Sequence, residues 1–356
     1  MFETLGFDTL TAPQAAVFFG LALGLAFGAL AEVTRFCFRR GLVGTAEERR
    51  PALAVWLTAL AVAILGTQGA VAAGWISFAE HRFLSPDLPW AAVALGGLLF
   101  GAGMVLTRGC ASRLTVLAGS GNLRAALVLV VFALTAHATL KGVLAPLRQA
   151  LGTLTLPLGE AAALPAPWAA ALALALLAWA ALSGARRGHL AGAAALGLLV
   201  PLGWVGTGFV LYDDFDPIAL ESLSFTAPAA DSLFWTVAAS AVPARFGVGL
   251  VGGALAGAAA LALISGRFRW QSFESPAQTG RYLAGAALMG FGGVLAGGCT
   301  VGAGLSGVPT LGVSALLALG AIAAGGIATD RALARLSGSS SGSAAPSATP
   351  PAPQRA

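Results

Sequence analysis

The sequence predicts an all-α polytopic membrane protein, and three observations carry this prediction. The 356-residue chain is 57% hydrophobic and only 10% charged, whereas roughly a quarter of the residues in a soluble domain are charged. The mean hydropathy is +0.84. About nine segments have the roughly 20 apolar residues that a membrane-spanning helix needs. The lipid bilayer is therefore the first partner that the sequence predicts.

The apolar segments follow one another with short connections. We place them at 13–34, 52–74, 90–107, 124–146, 166–184, 190–211, 233–265, 281–297 and 310–329. The seventh is too long for one span, and Pro243 is expected to divide it into a short leading piece and a full helix from about residue 244. These segments predict one transmembrane domain over 1–335, followed by a disordered tail over 336–356 that is rich in Ser, Ala and Pro.

The distribution of arginines predicts the orientation. Fifteen of the twenty basic residues lie in alternate loops, whereas the opposite loops hold Arg82, Arg148 and most of the acidic residues. Because arginine-rich loops stay in the cytoplasm, we expect the N-terminus outside and the C-terminus in the cytoplasm. The net charge of +5 is spread thinly, so nucleic acid is not an expected partner.

A repeated element contains all three cysteines. GALAEVTRFC (28–37), GAGMVLTRGC (101–110) and GFGGVLAGGC (290–299) each place a glycine nine positions before the cysteine, at the end of an apolar segment. The first two also share an arginine two positions before the cysteine, Arg35 and Arg108. The cysteines show no disulfide framework, no redox pair and no metal-ligand spacing.

The predicted spans that end at Cys110 and Cys299 run in opposite directions. Opposed copies of one element are typical of inverted-topology repeats, which many transporters use to build one site near the bilayer midplane. We therefore predict two repeat halves, at about 13–146 and 190–329, joined by a helix at about 166–184.

The helical pattern breaks after the two later cysteines. The stretches 111–122 and 300–310 are Gly-rich and long enough for half a membrane crossing, so we interpret both as re-entrant half-helices. Free backbone N–H groups at a half-helix N-terminus attract anions, Thr300 adds a hydroxyl donor, and a thiol is soft and polarisable. This mixture suits a sulfur-bearing anion. The other interpretation is tight helix packing by small residues, with the cysteines as small apolar side chains.

At these residues the chain resembles the YeeE/YedE family of bacterial inner-membrane proteins. The resemblance rests on EVTRFCFRRGL (32–42), GAGMVLTRGCASRLTVLAGSGNLR (101–124) and GFGGVLAGGCTVGAGLSG (290–307), with SLSFTAPAADSL (222–233) as a further similar segment. It extends over essentially residues 13–329. The resemblance implies a multi-pass inner-membrane protein with inverted repeats that takes up thiosulfate through transient S–H hydrogen bonds.

The resemblance implies that the functional cysteines are Cys37, Cys110 and Cys299, and we expect no catalytic residue, cofactor or metal. To these the expected transport pathway adds Arg108 by its position, and Gly109, Gly298 and Thr300 by the open backbone and the hydroxyl that they offer beside the cysteines. The alternative is transport of another sulfur or selenium species, handed to a small cytoplasmic sulfur-carrier protein. A membrane thiol oxidoreductase is disfavoured, because the chain has neither paired cysteines nor a quinone or haem ligand set.

Other ionisable residues within predicted spans are functional candidates by default. His137 and Lys141 share one helical face and could attract an anion, although a packed histidine and a snorkelling lysine are the favoured interpretation. Arg245 could play the same attracting role. Glu32 and Arg35 are expected to form a structural pair.

Overall fold

The computed structural model describes residues 10–340, and it is mostly helical. The α-helices are α1 (Ala12–Thr34), α2 (Phe38–Val43), α3 (Ala46–Ala72), α4 (Trp90–Leu106), α5 (Ala111–Gly119), α6 (Leu123–Lys141), α7 (Ala145–Gly152), α8 (Ala166–Ala181), α9 (Arg187–Val205), α10 (Ala227–Ala238), α11 (Phe246–Ile264), α12 (Pro276–Leu295) and α13 (Val313–Ser340). Two π-helices, Gly206–Val210 and Thr300–Gly307, extend α9 and follow α12. Two short strands, β1 (Asp87–Leu88) and β2 (Leu156–Pro157), pair antiparallel.

Eight helical segments within residues 10–340 are long and apolar enough to cross a membrane. They are Ala12–Val43, Ala46–Ala72, Trp90–Gly119, Leu123–Lys141, Arg187–Val210, Phe246–Ile264, Pro276–Thr310 and Val313–Leu336. The predicted span at 166–184 corresponds to α8, which has only 16 residues. At 1.5 Å per residue α8 is about 24 Å long, somewhat short of the roughly 30 Å hydrocarbon core.

The predicted break in the seventh apolar segment is confirmed. α10 ends at Ala238 and α11 begins at Phe246, so Pro243 lies in the connection between them. The chain adopts an extended conformation at Arg245, which is the N-cap of α11. The leading piece, α10, is therefore a separate helix of 12 residues.

The glycine nine positions before each cysteine lies at a helix crossing. Gly28 of α1 faces α11, Gly101 of α4 faces α13, and Gly290 of α12 faces α6. A Cβ atom at any of these positions would clash with the backbone of the facing helix. Small residues let helix backbones approach closely in membranes, so packing explains these three glycines.

The long helices pack in two groups of extensive contacts. α1 packs against α11 and α3 against α9, while α4 packs against both α13 and α12, and α12 also packs against α6. α5 contacts α11, and the segment that follows Cys299 contacts α3. Large apolar side chains point away from this assembly, among them Phe18, Leu134 and Leu174, each at least 56% exposed. An apolar exterior of this kind fits a lipid environment.

The C-terminal helix extends past the predicted domain boundary. α13 continues to Ser340, so the first residues of the predicted tail are helical. The remainder of the predicted tail lies outside the described residues.

Candidate functional site

Each cysteine follows the same backbone turn. The residue two positions earlier has a left-handed conformation, with φ of 53° at Arg35, 58° at Arg108 and 73° at Gly297. At Arg35 and Arg108 this conformation ends the preceding long helix, and the N–H of the next residue returns to a carbonyl five residues back. Non-glycine residues adopt this conformation at a cost, so the position shared by the three sequences is a constrained turn.

Each cysteine is also the N-cap of a short helix. The Cys299 sulfur accepts a hydrogen bond from the Gly302 N–H at 3.4 Å, and the sulfurs of Cys37 and Cys110 face the equivalent N–H groups of the third residues of α2 and α5. The Cys110 sulfur also lies 3.3 Å from the Ser112 hydroxyl. The first N–H groups of a helix carry partial positive charge, and all three thiols lie beside such groups.

The turns bring the three thiols together in the interior. Cys37 and Cys110 are close enough to influence each other's ionisation, and Cys299 lies within electrostatic range of Cys110. All three are free and at most 3% exposed. The cysteines predicted as site residues thus form one buried cluster, although 262 positions separate the first from the last.

Thr300 belongs to the same cluster. Its hydroxyl is directed at Cys110, and the residue is 1% exposed. The oxygen makes no hydrogen bond of standard geometry to any described residue. Since a buried polar group without a partner costs about 1–3 kcal/mol, this hydroxyl is available to a ligand.

The other predicted site residues lie at the edge of the cluster. The Gly109 carbonyl accepts the Thr107 hydroxyl at 2.9 Å, and Gly298 lines a small recess beside Cys299. Arg108 is exposed and lines a separate cavity of about 180 Å³ together with Arg124. The cysteines are not among the residues that line that cavity.

An ion-pair network lies beyond Cys110, and it corrects the expected Glu32–Arg35 pair. The Glu32 carboxylate contacts Arg113 at 3.5 Å and Arg267 at 3.8 Å. Arg35 occupies the left-handed turn after α1 and is exposed. Glu32, Arg113, Arg267 and Arg269 line a cavity of about 110 Å³. Arginines therefore predominate at one end of the cysteine cluster.

A larger cavity of about 590 Å³ approaches the cluster from the other end. Arg82 and Glu221 lie on its wall, and Ser224, Gly302 and Ser306 also line it. Gly302, which lines this cavity, also donates its N–H to the Cys299 sulfur. The large cavity therefore reaches a residue in direct contact with the third thiol.

Arg82 lines the large cavity together with two carboxylates, Glu80 and Glu221. Burial and the neighbouring Arg82 guanidinium lower the pKa of His81 to about 4, so this imidazole is neutral at pH 7. Burial and the nearby Asp231 raise the pKa of Glu221 above its usual range, although Arg82 opposes that rise. Arg82 is exposed as a residue, but burial of its guanidinium lowers its pKa, and the guanidinium lies 4.9 Å from the centre of the Phe83 ring.

Comparison with known proteins identifies the family of this chain. Residues 33–328 match the protein family described as sulphur transport. This chain belongs to the sulphur transport family. It is also similar to the thiosulfate transporter TsuA of Escherichia coli (strain K12), with 26% identity over 318 residues that cover 80% of this chain and 86% of the relative. The resemblance to the YeeE/YedE family is confirmed, and the chain is a multi-pass membrane protein, for which the bacterial inner membrane fits.

Sequence reasoning missed two parts of this family member's interior. It did not predict α2 after Cys37, and it gave no role to Arg82, Ser224 or Thr226. One signal was present for Arg82, because it is one of the two arginines in the acidic set of loops. Ser224 and Thr226 lie in the segment 222–233, which the resemblance had included. No spacing rule connects them to cysteines that are distant along the chain.

The turn at Arg108 permits a test that separates backbone from charge. We expect Arg108→Gly to keep or slightly raise thermal stability, because glycine adopts positive φ freely and already occupies the equivalent turn at position 297. Arg108→Val should destabilise the protein by about 1–2 kcal/mol, since a β-branched residue is strained there. Unfolding in detergent and uptake in cells measure the two effects. Uptake by Arg108→Gly should stay within about threefold of wild type, because the side chain lines a separate cavity. A larger fall would give the guanidinium a direct role.

Proposed function

We propose that this protein takes up thiosulfate into the cytoplasm along its three buried thiols. One observation carries the proposal: Cys37, Cys110 and Cys299 are all buried, and each is the N-cap of a short helix. A thiol offers a weak S–H donor and a soft sulfur surface. Thiosulfate has a matching terminal sulfur and charged oxygens. The thiosulfate transporter among the relatives supports this choice of substrate.

Hydrogen bonds from the cluster offset part of the free energy that a dianion loses when it leaves water. Hydrogen bonds to charged groups contribute about 1.5–3 kcal/mol each, so donors at three thiols and at Thr300 supply on the order of 6–12 kcal/mol. The helix N-termini add favourable dipoles of about 0.3–1 kcal/mol each. Each single contact is weak enough to break, which lets the anion pass from one thiol to the next without covalent capture.

The remaining pathway residues act through the backbone. Gly109 and Gly298 precede cysteines, where the absence of a side chain leaves the main chain open to the anion. In Gly298 a Cβ atom would lie 2.6 Å from the Ala303 nitrogen, so a larger residue would distort the helix that Cys299 caps. Arg108 holds the turn that presents Cys110. Thr300 contributes the hydroxyl for which no described residue is a partner.

We also propose that the two halves form an inverted repeat, with the N-terminus outside and the C-terminus in the cytoplasm. The paired helix contacts support the repeat, since α4 with α13 corresponds to α12 with α6. The equivalent glycines Gly101 and Gly290 lie at those two crossings. The relative orientation of the two halves in the membrane depends on the short helix α8. The halves run in opposite directions only if α8 crosses the bilayer. Its exposed Leu174 and Trp168 suit contact with lipid.

The test is uptake of radiolabelled thiosulfate in a bacterial strain that lacks its own sulfate and thiosulfate importers. Cells expressing the protein should accumulate label and grow on thiosulfate, whereas cells with an empty vector should not. Radiolabelled sulfate should not accumulate in the same cells, because sulfate lacks the terminal sulfur that the thiols recognise. Absence of uptake by a protein that is present in the membrane would reject thiosulfate as the substrate. The alternative of another sulfur or selenium anion, handed to a cytoplasmic carrier, would then be tested with selenite and sulfite.

A further inference from the structure

A small recess opens off the large cavity toward Cys299. It has a volume of about 40 Å³, and Arg82, Ser224 and Ala227 line both it and the large cavity. Gly298 lies at its inner side. Because one water needs about 10–15 Å³ of such space, the recess holds roughly three to four water-sized groups, comparable to the four outer atoms of one tetrahedral anion.

The recess contains a polar group that no described residue satisfies. Thr226 lines the recess and is 4% exposed, and its hydroxyl oxygen makes no hydrogen bond within residues 10–340. Its methyl group lies against α12, since a Cβ atom at Gly293 would be 3.2 Å from it. Buried hydroxyls in native proteins nearly always have a partner, so this one points to a ligand.

The charge of the recess favours an anion. Thr226 is the N-cap of α10, a helix of 12 residues with proline in its first turn. Pro228 has no N–H, so the partial positive charge at this helix end comes from the N–H groups of its other first residues. Arg82 brings a full positive charge and forms no ion pair within 4 Å in the described part of the chain. The residues that line the recess include no carboxylate; Glu221 lies on the wall of the large cavity instead.

We propose that Arg82, the Thr226 hydroxyl and the N-terminus of α10 form an outer binding site for a tetrahedral oxyanion, one step before the cysteines. The inference rests on the proposed function, because it places this site on the route of thiosulfate. The outer site recognises sulfonate-type oxygens by charge and hydrogen bonds. It contains no sulfur atom, so selection for the terminal sulfur of thiosulfate occurs only afterwards, at the thiols.

If the outer site recognises oxygens and the thiols select sulfur, the two steps can be separated by measuring anion binding to the purified full-length protein. We expect both sulfate and thiosulfate to bind wild type with dissociation constants that differ by less than about threefold, since charge-assisted contacts to oxygen are common to both anions. Binding should persist in Cys110→Ser. Arg82→Gln should weaken both anions by at least about tenfold, and Thr226→Val by about three- to tenfold, because each removes a contact to a charged ligand. Isothermal titration calorimetry measures all four constants.

Two controls separate this site from general attraction by surface charge. Lys141→Gln removes an exposed positive charge from the end of α6, and Thr226→Ser keeps the hydroxyl; both should bind anions like wild type. An equal loss of affinity in Lys141→Gln and Arg82→Gln would overturn the site, as would unchanged binding in Arg82→Gln. Thermal unfolding of each variant identifies any loss of affinity that arises from misfolding, and Arg82→Lys provides a folded substitute with the charge retained.

Uptake distinguishes failure of the outer site from failure of the proposed function. In cells, Arg82→Gln should raise the KM for thiosulfate by about tenfold and leave the maximal rate largely unchanged, because binding precedes passage along the thiols. If wild type imports thiosulfate and Arg82→Gln keeps the same KM, the outer site is wrong while the proposed function stands. If wild type imports no thiosulfate but its anion binding requires Arg82, the proposed function is wrong while the site stands.

Discussion

Replacing Cys110 with alanine is expected to lower thiosulfate uptake by about 10- to 100-fold, the effect of losing one hydrogen bond of about 1.5–3 kcal/mol to a charged group at the rate-limiting position. Cys110 is the thiol that lies within electrostatic range of both others, Cys37 and Cys299. It also faces Thr300. No other side chain in the cluster can replace these contacts. Initial uptake rates, normalised to protein in the membrane, measure the effect.

Two further variants show whether the effect belongs to the sulfur. Cys110→Ser keeps a donor but loses the polarisable atom, so its uptake should lie between those of wild type and Cys110→Ala. Thr115→Val is the matched control, because Thr115 is buried in the same short helix. Its hydroxyl donates a hydrogen bond to the Ala111 carbonyl, one turn earlier in that helix. It should transport normally. Uptake by Cys110→Ala within twofold of wild type would contradict passage along the thiols.

Replacing Gly253 with alanine is expected to lower the free energy of unfolding by about 1–3 kcal/mol, the usual cost of overpacking an interior. Gly253 of α11 faces α1, and an added Cβ atom would clash with the carbonyl oxygen of Leu21. Both helices would have to move apart along a crossing that also contains Gly24 and Gly257. Thermal unfolding in detergent measures the change.

The neighbouring residue provides a matched control. Gly252 lies in the same helix, is exposed, and has no atom within 4 Å of an added Cβ. Gly252→Ala should therefore be neutral or stabilising by about 0.5–1 kcal/mol, since alanine favours the helix over glycine. Equal destabilisation by both substitutions would contradict backbone contact at Gly253 as the cause, because Gly252 has no facing atom.

The local features of this protein could be predicted from its sequence because they depend on neighbouring residues. The length of the apolar segments predicts the long helices, and Pro243 predicts the separation of α10 from α11. The alignment of the three cysteines marks the positions where the structure has a turn. The sequence did not reveal the left-handed conformation at Arg35 and Arg108, because arginine gives no signal for positive φ. Glycine at position 297 gave that signal only in the third copy.

The partners of distant residues could not be predicted, because no pattern connects them. Glu32 has an arginine three positions later, yet it pairs with Arg113 and Arg267 from other parts of the chain. Gly20, Gly24 and Gly28, spaced by four along α1, lie against the backbone of α11. Their spacing is the small-residue pattern of membrane helices, and it was the available signal.

The glycine crossings have a consequence for how the pathway can open. Where two backbones touch, as α1 and α11 do at Gly24, no layer of side chains lies between them that could change rotamer and let the helices slide. The spacing of α1 and α11 is therefore set by van der Waals contact between main-chain atoms. The short helices that follow Cys37, Cys110 and Cys299 are attached instead through single turns. If thiosulfate passes along the thiols as proposed, these short helices are the parts that can move without separating α1 from α11.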